Sequence, residues 1–280
     1  MIGVAAVAAV ALQFVNVSSH EMQADGHSIH ADISGNGRLV VFDSLATNLS
    51  AAPLQRPDDQ EVYLRDRRRG VTRLVSRSSR GRVSNGWSWQ PSLSPNGRFV
   101  AFYTGAHLAS ADTDALSDVY LRDRRRGVTR VASPGAVGCY NPPVLALTPR
   151  AGYVVHWCDD GLRVLDRRSG RVRNASPTLD VRPPDRTISE AGVSADGRTV
   201  VFCSEAYNLS RSDGLGDDVY VWHRAAGIPT VVSNAGSCVW SADVSSDGRT
   251  AVFTADMPGL VAQDVRDVRQ SDAFTAGPLR

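Results

Sequence analysis

Leu93-Ser94-Pro95-Asn96-Gly97-Arg98-Phe99-Val100-Ala101-Phe102 points to the architecture, because the chain writes it repeatedly. It recurs as Ile33-Ser34-Gly35-Asn36-Gly37-Arg38-Leu39-Val40-Val41-Phe42 and as Val193-Ser194-Ala195-Asp196-Gly197-Arg198-Thr199-Val200-Val201-Phe202. A fourth copy runs from Val244 to Phe253, and a blurred fifth, one residue longer, from Leu147 to Trp157. Asn-Gly or Asp-Gly between short β-branched runs is a strong hairpin signal, and predicts a tight turn with positive φ at both central residues. The chain therefore reads as an array of hairpins.

A second motif alternates with the first. Glu61-Val62-Tyr63-Leu64-Arg65-Asp66-Arg67-Arg68-Arg69-Gly70 returns as Asp118-Val119-Tyr120-Leu121-Arg122-Asp123-Arg124-Arg125-Arg126-Gly127, with weaker copies at 162–170 and 218–227. Each is a strand, a polar turn closed by Gly and another strand. Two hairpins per repeat make a four-stranded antiparallel unit. The turn glycines Gly37, Gly97, Gly152, Gly197 and Gly248 are 60, 55, 45 and 51 residues apart, a spacing that points to a propeller or similar array. No segment shows an apolar period of 3.6, so an all-β chain is expected.

Such a unit cannot bury both faces alone, and radial stacking is the propeller solution. Five repeats are countable, so residues 13–280 are predicted to form one β-propeller domain of five four-stranded blades, six only if a degenerate unit hides among them. Gln13 to Ser18 matches the fourth strand of a repeat and has no first three strands before it. The last repeat reaches a third strand at Ser271 to Phe274, so the N-terminal strand is expected to close the ring and cover an edge.

The paired Ser-x-Asp-Gly-Arg-x-Val-x-Phe and Asp-Val-Tyr-Leu-Arg-Asp motifs resemble the WD-like repeats of TolB-type β-propellers, over roughly Gln13 to Phe274. The resemblance is specific for the repeat and weak for function, since one propeller hosts many roles. TolB itself carries an N-terminal domain before a propeller that usually has six blades, and prolyl-oligopeptidase-like enzymes carry related propellers beside a hydrolase domain. What it implies here is an exported, non-catalytic, monomeric scaffold that binds a protein or an envelope polymer.

The 31 basic residues, all Arg, nearly cancel 29 acidic ones, which argues against a nucleic-acid binder driven by charge. Residues 1–12 are small and apolar, and Ala9-Val10-Ala11 fits a signal-peptide cleavage site, although no basic segment precedes it. A secreted, periplasmic or envelope location is the expectation, with the cytoplasm as the alternative; no stretch reaches the ~20 apolar residues of a membrane-spanning helix.

In a blade with strands a to d, the a–b and c–d turns share one rim and the b–c and d–a loops the other. Arg67, Arg68, Arg69, Arg124, Arg125 and Arg126 then gather on one rim, with Arg38, Arg98 and Arg198, and suit an anionic partner; a merely solvated face explains them too. The opposite rim is acidic. There Asp112-x-Asp114-x-x-x-Asp118 has oxygen ligands at a spacing that could hold calcium, though Asx turns use the same residues and the Gly and Glu of an EF-hand are missing. No other cofactor is expected.

His30, Asp32, Gln90 and Asp243 fall on inner strands and could build a ligand or hydrolase/lyase-type site at the channel mouth. Trp87 and Trp89 could form an aromatic platform or pack between blades. His20 and His27 read as loop histidines. No Gly-x-Ser-x-Gly elbow and no phosphate-cradling Gly-rich loop occurs, so no catalytic residue is assigned and the chain leans toward a non-enzyme. Four cysteines favour disulfides in an exported chain. Aligned on the repeat, Cys139–Cys158 would bridge within one blade and Cys203–Cys238 would link two; in a reducing compartment all four are thiols.

Overall fold

The computed structural model describes residues 13–133, 139, 145–180, 182–210, 218–233, 238–255 and 272–279; at 233, 238–240, 255 and 272–274 it describes backbone alone. The apolar stretch 1–12 and two of the acidic residues near 213–217 lie outside it.

The alternating hairpins form antiparallel sheets in sequence order. The first comprises β1 (Ser28–Ile33), β2 (Leu39–Ser44), β3 (Glu61–Asp66) and β4 (Val71–Leu74), and the second β5 (Ser88–Leu93), β6 (Phe99–Thr104), β7 (Asp118–Asp123) and β8 (Val128–Val131). The third holds β9 (Leu145–Leu147), β10 (Tyr153–Cys158), β11 (Gly161–Asp166) and β12 (Arg171–Asn174). The fourth holds β13 (Ile188–Val193), β14 (Thr199–Ser204), β15 (Asp218–His223) and β16 (Thr230–Ser233). A fifth sheet has three described strands, β17 (Cys238–Val244), β18 (Ala251–Ala255) and β19 (Asp272–Ala276). Among the described residues there is no helix, hence none long and apolar enough to cross a membrane.

The first strands pack in succession, β1 on β5, β5 on β9, β9 on β13 and β13 on β17, so they are the innermost. The next two strands of each sheet supply the core. Phe42 stacks on Tyr63, Phe102 on Tyr120 and Phe202 on Tyr220, at centroid separations of 5.9, 6.2 and 5.4 Å. The antiparallel register sets each pair directly opposite. In the third sheet that register opposes His156 to Arg163 instead. His156 is fully enclosed, and burial pushes its imidazole down to about 3, so it is neutral.

The turn chemistry differs from the expected two-residue turn. Only the glycine is left-handed, with φ of +67° at Gly37 and Gly97, +64° at Gly197 and +73° at Gly248. Gly37 N–H closes a four-residue turn on Ser34 O, and Ser34 N–H donates to Leu39 O. Asn36 Oδ1 accepts from Ser34 Oγ and from Arg38 N–H, and Ser34 Oγ accepts from Leu39 N–H. The Asn or Asp thus works through its side chain, as an Asx turn, and needs no positive φ. Glycine has a second reason to be there: a Cβ on Gly97 would lie 2.6 Å from Leu39 Cδ1, and one on Gly197 2.2 Å from the Tyr153 ring. Each turn rests on the preceding blade. Gly35 N–H donates to Pro95 O and Ala195 N–H to Ser246 O, tying neighbouring turns together.

The N-terminal segment does not pair with β19 among the described residues. Val17 bridges to Gln23, and Thr72 on β4 donates its hydroxyl to Val17 O. The equivalent loop of the next repeat explains why: Arg77 bridges to Val83, and Thr129 on β8 donates to Arg77 O at 2.6 Å. Residues 13–24 therefore repeat the loop that enters the second blade, which lies along that blade's outer strand. Arg122 clamps the loop through Arg77 O and the Thr129 hydroxyl, and Arg65 does so through Ser18 O.

Candidate functional site

The inner strands carry a bulge at the level of the expected channel-mouth residues, with register shifts between Ser28 and Ala31, between Trp89 and Ser92, and between Ile188 and Glu190. Bulges re-aim side chains and are frequent beside functional sites. Gln90, at φ +48°, is one of the few non-glycine residues in the left-handed region.

This geometry brings His30 and Gln90 to a residue that sequence reading missed. Asp43, on β2, is fully buried. Its carboxylate accepts from His30 N–H at 2.9 Å, from the His30 ring at Nδ1 at 2.8 Å, and from Gln90 N–H at 2.8 Å. A carboxylate only accepts, so the ring donates to it through Nδ1. The His30 side chain remains 41% exposed, so the ring is reachable from solvent. The signal was present in the sequence: Asp43 follows the phenylalanine that ends its motif, where other copies have Tyr103, Cys203 and Thr254.

The other two acids of that set have different work. Asp32 accepts from Ile33 N–H and, across the blade boundary, from Leu93 N–H at 2.7 Å. Asp243 accepts from Val244 N–H at 2.7 Å and lies where a Cβ on Gly192 would meet its oxygen at 2.3 Å. Asp32 ties two inner strands together, whereas Asp243 bonds its own neighbour and packs against Gly192 of β13. Trp87 and Trp89 part company: Trp87 is 55% exposed, whereas Trp89 stacks on Tyr103 at 5.9 Å within the interblade core.

On the opposite face of the motifs, the register brings the turn arginine of one hairpin to the aspartate of the next. Arg38 grips Asp66, and Arg98 grips Asp123, each through two guanidinium nitrogens. These arginines hold Asp66 and Asp123 below the usual carboxylate range. Arg38 and Arg98, expected on the same rim as the arginine clusters, are thus paired within the scaffold. The first arginine of each cluster is also committed: Arg67 donates to Gly37 O at 2.9 Å, and Arg124 donates to Gly97 O. Arg98 and Arg167 flank the Phe99 ring at 4.8 and 4.7 Å. Arg68, Arg69, Arg125 and Arg126 remain exposed, with no acceptor for their guanidinium groups among the described residues. Arg126 borders a groove of about 300 Å³ between the second and third blades, floored by Phe99, Leu121 and Leu165.

On the acidic rim, Asp112, Asp114 and Asp118 do come together, each offering an oxygen within 4.8 Å of the others'. Cys139 and Cys158 form the expected disulfide, and Cys203 is disulfide-bonded as well. The side chain of Cys238, its expected partner, lies outside the described residues.

Sheets that follow one another around inner strands, with turns stacked along one rim, have known counterparts. The fold is that of the TolB-like β-propellers. TolB from Acinetobacter baumannii superposes with a TM-score of 0.51 at 16% identity, over 82% of this chain and 49% of that one. The chain thus spans about half the length of that TolB. A putative TolB from Agrobacterium tumefaciens gives 0.53 at 14% identity, over 91% and 78% of the two chains. An oligogalacturonate lyase in complex with manganese gives 0.56 at 13% identity, over 92% and 67%. No protein-family model and no curated protein matches the sequence. At these identities the likeness carries the TolB-like fold and leaves the activity to the residues.

Proposed function

We propose that this TolB-like propeller is a binding scaffold, exported to an oxidising compartment, that engages an anionic protein segment or envelope polymer through its arginine rim. The observation that carries the reading is the division of labour within each Asp-Arg-Arg-Arg turn. The aspartate and first arginine tie the two hairpins of one blade together, while Arg68, Arg69, Arg125 and Arg126 are exposed and their guanidinium groups have no partner among the described residues. Arginines unneeded by the fold, beside a groove with an apolar floor, suit carboxylates or sulfates carried on a partly apolar chain. The disulfides support the compartment, since such bonds persist where the environment is oxidising.

A second reading is favoured by the His30–Asp43 pair, a buried carboxylate that orients an accessible imidazole. That arrangement suits a general base, or a ligand contact, in a hydrolase- or lyase-type site at the channel mouth. One experiment separates the two. Binding of the purified chain to poly-glutamate and to heparin is compared for the wild type, R68Q/R69Q/R125Q/R126Q and H30Q. The scaffold reading expects at least a tenfold loss in the arginine variant and none in H30Q, with charge-assisted contacts removed only in the former. Equal affinity in all three overturns the rim proposal, and a loss confined to H30Q turns the assignment to the channel mouth.

A further inference from the structure

The loop from β6 to β7 folds three carboxylates onto one spot, and the residue that closes it is incompletely satisfied. Asp112 is 8% exposed; its Oδ2 accepts from the Tyr120 hydroxyl at 2.6 Å. The Tyr120 hydroxyl in turn accepts from Leu108 N–H at 3.2 Å, so the ring oxygen is fixed in place. The other oxygen of Asp112, Oδ1, is buried and has no hydrogen-bond partner among the described residues. A buried acceptor left unpaired costs about 1–3 kcal/mol, and more when it carries charge. With Oδ2 already held by Tyr120, Oδ1 is the oxygen that Asp112 has left to offer its neighbours.

Those neighbours are carboxylates too. Asp114 and Asp118 each bring an oxygen within 4.8 Å of the Asp112 ligand oxygen and of each other. Two oxygens bound to one calcium ion at about 2.4 Å can be no further apart than about 4.8 Å. The flanking hydrogen bonds orient the set: Asp114 Oδ1 accepts from Leu116 N–H at 2.9 Å, and Asp118 Oδ1 from the Ser133 hydroxyl at 2.6 Å. All the donors are hard oxygens in an irregular loop, with no imidazole or thiolate in the cluster, which suits calcium better than zinc or copper. Asp114 is only half-buried, which leaves a side open for water ligands and for entry.

We propose that Asp112, Asp114 and Asp118 hold one calcium ion that fastens the β6–β7 loop to the start of β7. The ion answers the unpaired Oδ1, offsets three adjacent negative charges and crosslinks residues that the loop alone holds by a few hydrogen bonds. The Tyr120 hydroxyl is a positioning group: it fixes Asp112 without touching the metal.

The test uses the full chain after exhaustive chelation, titrated with calcium by calorimetry and with terbium by luminescence, the nearby Tyr120 serving as sensitiser. One saturable site is expected, in the range of about 10⁻⁴ to 10⁻³ M typical of extracellular modules. Calcium at ten times that constant raises Tm in the wild type. D114N, at the half-buried ligand where folding is least at risk, weakens calcium binding at least tenfold and loses the Tm shift. D58N, on the exposed acidic loop of the first blade, retains both. Y120F binds terbium with weaker sensitisation and several-fold lower affinity. The absence of saturable calcium binding up to 10 mM overturns the proposal, as does binding that D114N leaves unchanged; magnesium binding with equal affinity overturns the assignment to calcium.

Discussion

Glu61 begins β3 with its side chain fully enclosed, and burial pushes its carboxyl up to about 8 against the counteracting hydrogen bond from Ser76 Oγ at 2.5 Å. Asp59, nearby, adds to the upward push. A carboxyl whose folded pKa exceeds its unfolded value binds a proton more readily in the native state. Between about 4.5 and about 8 the folded chain therefore holds more protons, and stability falls as pH rises through that window. Unfolding in urea should show the loss, on the order of 1–3 kcal/mol, between pH 5.5 and 8.5. E61Q flattens the slope while keeping an acceptor for Ser76; an unchanged slope in that variant would assign it elsewhere. At the same scale, Asp43 shows how a residue acquires a role through its neighbours: the sequence displays only an acid where other repeats have uncharged residues, and the fold supplies His30 and the Gln90 amide.

At the scale of elements, the Ser-x-Asp-Gly-Arg hairpin was legible almost in full, because its bonds are local: Ser, Asn or Asp, and Gly satisfy one another within six residues. Its arginine was not legible. Arg38 and Asp66 are 28 residues apart and meet only because β2 and β3 pair with Leu39 opposite Asp66. The turn type was misjudged for a related reason, since Asn-Gly serves a two-residue turn and a longer Asx-stabilised turn equally well, and the surrounding register decides between them. The Cys139–Cys158 bridge, readable from repeat alignment, fastens the entry loop of the third blade to β10 across a separation of 19 residues. C139S/C158S should cost about 3 kcal/mol, seen as a lower urea midpoint with little change in m-value. A cost well below 1 kcal/mol would mean that the loop is held by its packing alone.

At the scale of the molecule, the near-neutral total conceals basic residues at the stacked turns and acidic ones at the described β2–β3 and β6–β7 loops. Exposed arginines separated by several ångströms act through solvent, where salt screens them over about 8–10 Å. Polyanion binding by the arginine rim should therefore weaken steeply between 50 and 500 mM NaCl, while calcium binding at the acidic rim should weaken much less. A salt-insensitive affinity for heparin would point instead to the apolar floor of the Arg126 groove. The ring closure expected from the N-terminal strand is not seen among the described residues. That segment has the sequence of a repeat's final strand and also of the loop that follows it, and its contacts with Thr72 place it in the second role.

Repetition, period and hairpin chemistry are written in the chain, so the sequence by itself determined an all-β array, its blades and the two rims on which turns and loops fall. Which charges are spent on the scaffold, which remain for a partner, and which acids meet at a cation or an imidazole depend on pairings across 28 residues or between blades. Only the tertiary structure decided those, because local sequence sets the direction in which a side chain leaves a strand, whereas its partner is set by the register and stacking of strands distant along the chain.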